Sequence, residues 1–501
     1  MNQLLRTKSI EALLGDEDAE KPRLNRTLGI WSLVILGVGA VIGSGIFTVI
    51  GTAAKGNTSR YSSVMHAPVM DVVLRGPEAI ASIGRPGAGP GVALSFVLLA
   101  VACGLAALCY AEVASMIPVA GSAYTYAYAT LGEIVAWILG WDLILEYAVS
   151  NMSVAVGFSG YFNDILDNLF GFRIPPEWSG PALRGGELTG NYFNIPSLIV
   201  MVTMTWLLVR GVKESTNATG IMVVIKTVAI LAFVFGAANA IKPENWQPFL
   251  PNGMGGVISG AAIVFFAYIG FDSVSTAAEE CRNPRRDLPW GIFLTLAVCT
   301  VLYVAVALVL TGIVDWKTLD ESEPVARALK DIGYDNLRIF VSLGALVGMW
   351  GSLLVFQYGQ TRIWYAMSRD KLLPGMFSQV HPKYKTPHIS TWIAGLVVGI
   401  PAGIWDIATF AELANIGTLF AFATVSAAVI ILRRTQPDRP RGFRVPLVPI
   451  VPILSILFCL VLMLGLPVQT WLSFFIWLVI GLAIYFGYSK SRSPLAKETE
   501  V

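Results

Sequence analysis

The chain has 501 residues, of which 55% are apolar and only 14% charged, and its mean hydropathy is +0.65. This composition excludes a soluble protein, even one of several domains, and indicates an integral membrane protein. The cysteines and the three histidines are too few and too scattered to predict a disulfide framework or a His-based metal or catalytic centre. We therefore expect no metal, no cofactor, no enzymatic activity and no nucleic-acid partner.

Twelve apolar stretches are long enough to cross about 30 Å of hydrocarbon as helices. The residues before the first stretch are polar and acidic, unlike a cleavable signal peptide, so this stretch is expected to stay in the mature protein. Lys and Arg are about twice as frequent in the loops on the side of both termini, which predicts that both termini are cytoplasmic. The stretches cover approximately residues 30–54, 91–115, 134–160, 194–209, 219–241, 255–278, 289–313, 339–361, 389–405, 408–432, 447–466 and 470–489.

Two of these stretches are weakened at mid-depth. VIGSGIF, at residues 41–47, places two glycines around a serine, and FFAYIGFDS, at residues 265–273, places a glycine two residues before an aspartate. Glycine costs about 1 kcal/mol relative to alanine inside a helix. Breaks that lie five helices apart predict two inverted repeats around a central site, although helix packing through GVGAVIGSG is an alternative explanation of the glycines.

A broken helix exposes backbone groups that cannot stay unpaired in hydrocarbon. The free N–H groups at the start of its second half suit a carboxylate, and the free carbonyls at the end of its first half suit an ammonium group. Together these groups describe the main chain of an amino acid, so the sequence predicts an amino acid site at the paired breaks.

Ionisable residues within the apolar stretches are a second sign of function, because each costs several kcal/mol at mid-bilayer. Asp142, Glu146, Ser150 and Ser153 are spaced so that they form one polar stripe on a helix. We expect the stripe to face the interior of the bundle. Glu146 is either part of the transport mechanism or a structural anchor.

Lys226 lies deep in the fifth stretch, too far from either end for its ammonium group to reach the interface. Two functions fit it. A desolvated lysine can take up and release a proton near neutral pH, or it can stay charged and hold carbonyls of the broken first helix in place of a metal cation. Asp272 lies either within the second interrupted segment or on the cytoplasmic half-helix after it.

The remaining polar residues are expected to be structural. The long loop at residues 55–90 is interpreted as a passive insertion, with a lid or docking element as the alternative. Glu112 and the cluster AEECRNPRRDLP, which holds Glu279, Glu280, Arg282, Arg285, Arg286 and Asp287, are expected to be gates or topology anchors at the cytoplasmic rim. Hydrogen bonds between helices are expected from Gln357, Gln360, Glu412 and Asn415.

Nearly the whole chain resembles the cationic amino acid transporter branch of the amino acid, polyamine and organocation (APC) superfamily, as a bacterial-type member. The resemblance is carried by GVGAVIGSGIF, AALCYAEVASMIPVAGSAYTYAYATLGE, GWDLILEYAVSNMSVA, FFAYIGFDSVSTAAEECRNPRRDLPWGI, QTRIWYAMSRDKLLP and ELANIGTLFAF. It implies an all-α polytopic membrane protein with 12 transmembrane helices, built as a LeuT-like five-plus-five inverted repeat in which helices 1 and 6 are interrupted, with two further helices.

The resemblance also implies how the chain is divided. The expected units are a cytoplasmic N-terminal segment at 1–28, a first repeat at 29–241 with a long extracellular loop at 55–90, a second repeat at 255–433, the last two helices at 445–489, and a cytoplasmic tail at 490–501.

The same resemblance implies the roles of individual residues. It assigns the substrate carboxylate to Gly43, Ser44 and Gly45. Lys226 matches the family's lysine that occupies the position of a sodium ion in sodium-driven relatives, which favours proton coupling or exchange. The coupling residues would be Lys226, Glu146 and Asp272, and the substrate amino group would meet carbonyls around Val41, Ile42, Phe266, Ala267 and Ile269.

We therefore expect a secondary active transporter of L-amino acids in the cell membrane, working by alternating access as a proton-coupled symporter or exchanger. Met349 and Phe356 would narrow the side-chain pocket and favour small neutral substrates such as alanine. A cationic substrate such as arginine or lysine is the alternative, because Glu146 or Asp272 would neutralise its charge. A non-transporting amino acid receptor and a channel are rival classes. The expected partners are an L-amino acid, protons and membrane lipid, with sterol and a small single-pass membrane protein as open alternatives.

Overall fold

Helices make up almost all of the computed structural model, which describes residues 6–8, 28–57, 85–117, 122–184, 187–211, 216–276, 281–319, 323–384 and 386–493. The α-helices, numbered in chain order, are α1 (Ile30–Val41), α2 (Ile50–Lys55), α3 (Val92–Met116), α4 (Ser122–Thr130), α5 (Glu133–Phe170), α6 (Pro176–Ser179), α7 (Ile195–Arg210), α8 (Thr216–Ala237), α9 (Gly253–Val264), α10 (Ser273–Thr276), α11 (Pro284–Ile313), α12 (Pro324–Asp331), α13 (Asp335–Arg369), α14 (His388–Ala402), α15 (Ile407–Thr435), α16 (Ile450–Leu464), α17 (Val468–Ile484) and α18 (Lys490–Arg492).

The strands are two short antiparallel pairs outside the helices. β1 (Gly56–Asn57) pairs with β2 (Arg85–Pro86), and β3 (Leu183–Arg184) pairs with β4 (Glu187–Leu188). The first pair joins the two ends of the predicted loop insertion, so the insertion leaves and re-enters the helical bundle at one place. Residues 58–84 of that insertion lie outside the described residues, as do Glu279 and Glu280 of the predicted rim cluster.

Most of the helices are long and apolar enough for a membrane. Within the described residues, six helices could cross a bilayer, and a seventh span results if α1 and the segment Gly45–Lys55, which meet at a bend of 42°, are counted together. Four further helices are also apolar but shorter. Helix α5, with 38 residues, is longer than any of them. Each of the twelve predicted stretches contains at least one of these helices. The number of spans and the inverted repeat remain predictions.

Helix α5 extends about three turns beyond the predicted end of its apolar stretch. It ends at Gly171, which has a φ of 61° and lets its N–H bond back to the carbonyl of Asp167 at 3.0 Å, as in the left-handed helix ends that glycine favours. The additional turns carry acidic side chains that α13 needs as partners. The apolar stretch predicted from the sequence ends earlier than the helix because these last turns mix polar and apolar residues.

A buried ion pair joins these two longest helices at one end of the bundle. The Nε of Arg338 on α13 lies 2.8 Å from the Oδ1 of Asp164 on α5, and its Nη2 binds the same oxygen. The hydroxyl of Ser342 donates to the other carboxyl oxygen at 2.7 Å. Both charged side chains are about 95% buried, so the pair is fully hydrogen-bonded in an environment where breaking it would leave a charge without compensation.

A second buried carboxylate secures the opposite end. Glu112, at the end of α3, accepts hydrogen bonds from Arg433 at 2.7 and 2.8 Å, from Arg441 at 3.0 Å and from the backbone N–H of Val445 at 2.7 Å. These contacts fix the segment after α15 against α3. Of the two roles expected for Glu112, the geometry is that of an anchor.

We predict that Arg338→Met lowers the stability of the protein by about 3 kcal/mol, because Asp164 would lose its partner while remaining buried. Thermal unfolding in detergent, followed by the loss of monodisperse protein, would measure the change. Arg327→Met is the matched control, since Arg327 pairs with Asp331 on the exposed face of α12, where an ion pair contributes roughly 0–1 kcal/mol. Equal melting temperatures for the two variants would contradict the prediction.

Candidate functional site

The first helix is interrupted where the sequence predicts it. Helix α1 ends at Val41, Ile42 leaves helical geometry with a ψ of 88°, and the N–H of Gly43 turns back to the carbonyl of Val41 at 2.9 Å. A π-helical turn, Gly45–Val49, then continues into α2. Ser44, at the start of this second half, is completely buried and its hydroxyl oxygen has no hydrogen-bond partner in the described part of the chain.

The second interruption lies between α9 and α10. After α9 the chain forms a single 3₁₀ turn, Phe265–Tyr268, and then extends through Ile269. Gly270 follows with a φ of 114°, which only glycine adopts without strain. A Cβ at Gly270 would also lie 3.1 Å from the backbone of Ala40, so the residue is a glycine for both conformational and contact reasons.

The two breaks touch each other through their backbones. A Cβ at Gly45 would lie 2.5 Å from the Cα of Ala267, and one at Gly43 would lie 2.8 Å from the Oγ of Ser352 on α13. The packing explanation of these glycines therefore applies at both positions, and it does not compete with the binding explanation. Close packing brings residues 41–45 next to residues 266–269, the set to which the substrate main chain is assigned.

Lys226 on α8 reaches the first break. Its Nζ donates hydrogen bonds to the carbonyls of Gly39 at 2.5 Å and Ile42 at 2.6 Å, and the side chain is only 2% exposed. Gly348 on α13 packs against the aliphatic part of the Lys226 side chain: a Cβ at Gly348 would lie 3.3 Å from the Cδ of Lys226. This geometry agrees with the second of the two expected functions, a tethered ammonium group in the position of a metal cation.

Asn415 on α15 donates hydrogen bonds to carbonyls beside the second break, as Lys226 does at the first. Its Nδ2 donates to the carbonyls of Ala262 at 2.8 Å and Ile263 at 3.2 Å, near the end of α9, where the helix loses its regular partners. The sequence predicts only an ordinary hydrogen bond between helices for this residue. The missed signal is its position: Asn415 lies on the tenth predicted span, five helices after the span that carries Lys226.

Tyr303 on α11 joins the two breaks. Its completely buried hydroxyl lies 3.0 Å from the carbonyl oxygen of Val41 and 2.9 Å from that of Ala267, and can donate its hydrogen to either. These are two of the carbonyls assigned to the substrate amino group, and a third, that of Ile42, accepts from Lys226. The carbonyls of the proposed ammonium site are therefore bound by side chains of the protein itself.

The other predicted site residues line the surrounding helices. Glu146 on α5 and Asp272, two residues after Gly270, are both buried and close enough to interact electrostatically. Met349 is completely buried on α13, one turn before Ser352. Phe356 packs edge-on against Tyr147, with ring centroids 5.9 Å apart. Among the described residues, no group of three or more Cys, His, Asp or Glu side chains could hold a metal ion.

Comparison with known proteins identifies the family. The model of the amino acid permease family matches residues 28–487. The chain belongs to the amino acid permease family. It is a multi-pass membrane protein and a bacterial-type member of the APC superfamily.

Relatives of this permease are similar over its whole length. It is 44% identical to the methylthioribose transporter of Bacillus subtilis over 99% of this chain and all of that protein, and 45% identical to the branched-chain amino acid permease BcaP of the same species over 98% and 99%. A plant relative, the chloroplastic cationic amino acid transporter 9 of Arabidopsis thaliana, is 36% identical over 82% of this chain and 67% of that protein.

We predict that Gly45→Ala weakens binding of every substrate of the permease by the same factor. The new methyl group would collide with Ala267, and such overpacking costs about 1–3 kcal/mol, which is roughly a ten- to hundredfold change in affinity. Competition binding with a series of amino acids would measure it. Gly104→Ala is the control, because a Cβ there meets nothing within 4 Å. Loss of affinity for one amino acid alone would contradict a main-chain site.

We also predict that Tyr303→Phe destabilises the substrate-free protein by about 1–3 kcal/mol, since the hydrogen bond that the hydroxyl donates to one of two buried carbonyls is lost. A bound amino acid should then raise the melting temperature more than in the wild type, because its ammonium group can donate to the same carbonyls. Tyr268→Phe is the control: its equally buried hydroxyl bonds to Phe96 and Thr300 instead. Equal substrate-induced shifts in both variants would contradict the assignment.

Proposed function

We propose that this permease is a secondary active transporter of neutral L-amino acids, that it works by alternating access in the cell membrane, and that it couples uptake to protons. The observation that carries the proposal is the contact between two helix breaks in the interior of the bundle. At this place the carbonyls at the end of one half-helix lie near the start of another, and side chains of neighbouring helices bind some of these carbonyls.

The substrate class follows from the chemistry of the breaks. The unpartnered hydroxyl of Ser44 and the free N–H groups at the start of the second half-helix suit a carboxylate. Carbonyls of Val41 and Ala267 suit an ammonium group once Tyr303 releases them. A zwitterion satisfies both sets, whereas a sugar such as the one in the name of one relative carries neither charge, which favours an amino acid for this chain.

The side chain of the substrate is proposed to be neutral. Met349 is buried on α13 one turn from the break, where its bulk favours small substrates such as alanine, and the name of BcaP extends the range to branched-chain amino acids. Cationic amino acids are the second candidate, because Glu146 and Asp272 are two buried carboxyl groups near each other. Binding without transport would instead indicate an amino acid receptor.

Coupling to protons is proposed because of Lys226. Its ammonium group holds the carbonyls of Gly39 and Ile42, so a monovalent positive charge is present at the first break without an added cation. A transporter with such a tethered charge needs another ion for coupling, and the buried carboxyls of Glu146 and Asp272 provide groups that can carry a proton.

The proposed architecture completes this picture. Twelve spans, two inverted repeats at 29–241 and 255–433, two final helices at 445–489 and cytoplasmic termini would place both breaks at the bilayer midplane, where transporters of this construction bind their substrates.

The test is uptake by proteoliposomes that contain the purified protein. Labelled alanine, valine, leucine, arginine and methylthioribose would be offered with and without an imposed proton gradient. Accumulation of alanine or a branched-chain amino acid that requires the gradient supports the proposal. Accumulation of arginine alone would replace the substrate class, and binding without entry would replace transport with a receptor function.

We predict that Lys226→Met abolishes concentrative uptake. The variant removes the ammonium group that pairs two buried carbonyls, each of which then costs about 1–3 kcal/mol, and it removes the fixed charge at the break. Lys242→Met is the control, since Lys242 lies in the loop after α8, outside the apolar helix. Full gradient-driven accumulation by the Lys226→Met variant would exclude Lys226 from the mechanism.

A further inference from the structure

The polar stripe of α5 contains a carboxyl group for which the site above has no use. Asp142 is completely buried, and neither of its carboxyl oxygens has a hydrogen-bond partner among the described residues. The hydroxyl of Ser150, two turns further along the same face, is also completely buried and without a partner there. Buried polar groups without partners are rare and call for an explanation.

Helix α15 provides the surroundings of this stripe through two consecutive residues. A Cβ at Gly417 would lie 2.7 Å from the Oδ1 of Asp142, so the absence of a side chain leaves the space that the carboxyl group occupies. The next residue, Thr418, lies beside the carboxyl group of Glu146. The two acidic side chains therefore face α15 one after the other, a helical turn apart.

Burial and the closeness of other carboxyl groups favour the protonated form of both groups. Glu146 lies close to the carboxyl groups of Asp142 and Asp272, and carboxyl groups that share a buried place cannot all be ionised. Asp142 has no donor in the described part of the chain, and an unpaired carboxylate at this depth would cost several kcal/mol. A neutral carboxylic acid fits both positions.

Among the residues that the structure describes, these two carboxyl groups have no fixed positive charge as a partner. The titratable side chains near Glu146 are Asp142, Asp272, Tyr110 on α3 and Tyr147 on α5, and within the described residues no Lys, Arg or His forms an ion pair with Asp142 or Glu146. Moving a proton from one carboxyl group to the other leaves the number of charges unchanged, which makes transfer between them less costly than ionising both.

The stripe leads from the first break towards one end of the helix. Gly157, further along α5, packs against the break, because its ideal Cβ would lie 2.8 Å from Thr48 and 3.5 Å from Ser44. At 1.5 Å per residue, Asp142 lies about 22 Å from Gly157 and about 14 Å from the start of α5. In the proposed topology this start is cytoplasmic, so Asp142 lies between the site and the cytoplasm.

We propose that Asp142 is the release station of the coupled proton, which passes along the α5 stripe from Glu146 to Asp142 and into cytoplasmic water. This inference rests on the proton-coupled transport proposed above. Asp142 first gives its proton to water, forming hydronium and a carboxylate. The O–H bond of Glu146 then breaks and a new O–H bond forms on Asp142. Side chains four residues apart on a helix lie about 5–6 Å apart at their Cβ atoms, a distance that one bridging water spans.

The test compares Asp142→Asn, which keeps the size of the side chain and cannot carry the proton, with the wild type in proteoliposomes containing a pH-sensitive dye. Gradient-driven accumulation and substrate-driven proton flux should fall about 100-fold, the order contributed by a positioned proton-transfer group. Exchange of labelled for unlabelled amino acid needs no net proton movement and should keep its wild-type rate. Asp142→Glu should recover proton flux, and Asp438→Asn, on the exposed segment after α15, should change nothing.

Each result has one interpretation. Wild-type accumulation and proton flux in the Asp142→Asn variant would overturn the inference. Loss of exchange together with accumulation in both Asp142 variants would also overturn it, because it would indicate a structural role. Absence of substrate-driven proton flux in the wild type would contradict the proposed coupling itself.

If Asp142→Asn does not fold, the inference can be tested with the Gly417→Ala variant and with infrared spectroscopy. Gly417→Ala places a methyl group against the Oδ1 of Asp142 and should slow proton flux while exchange continues. The infrared absorption of protonated carboxyl groups should lose a component when Asp142 is replaced, and that component should shift when the methyl group displaces Asp142. Unchanged proton flux and an unchanged spectrum in Gly417→Ala would exclude Asp142.

Discussion

Backbone carbonyls that leave their helices inside a membrane have to be paired, and the pairing of those carbonyls at the two breaks is the constraint on which the candidate site depends. Lys226, Asn415 and Tyr303 each donate to carbonyls at or beside a break. None of these side chains belongs to the broken helices themselves. The shape of the breaks is therefore held by neighbouring helices, and a movement of those helices changes what the breaks offer to a ligand.

The two breaks are supported in similar ways but with different charge. Lys226 brings a positive charge to the first break from α8, whereas Asn415 brings a neutral amide to the second from α15. In the proposed inverted repeat, these helices are the fifth members of their halves. In the proposed site, the positive charge beside the first break would attract the substrate carboxylate to that side, and the neutral support of the second break would not repel the ammonium group. The difference would orient a zwitterion.

The sequence predicted the features that have strong local signals. Glycines within apolar stretches located both breaks, because few other residues interrupt a membrane helix, and Lys226 was evident because a lysine in that position has no interface within reach. The family assignment was confirmed. Tyr303 and Asn415 were not recognised as parts of the site, since a tyrosine or asparagine in an apolar helix usually serves packing, and only the folded chain shows which carbonyls they meet. The extra turns of α5 were missed because the partner of Asp164, Arg338, lies on a helix distant in sequence.

The tethered ammonium group of Lys226 has a consequence for the conditions under which such a protein can work. A dissolved ion occupies its place only to the extent that its concentration in the surroundings allows. A side chain held by the polypeptide has an effective local concentration set by covalent geometry. If Lys226 takes the place of a dissolved cation, the readiness of the first break to receive a ligand would not depend on the external concentration of that cation.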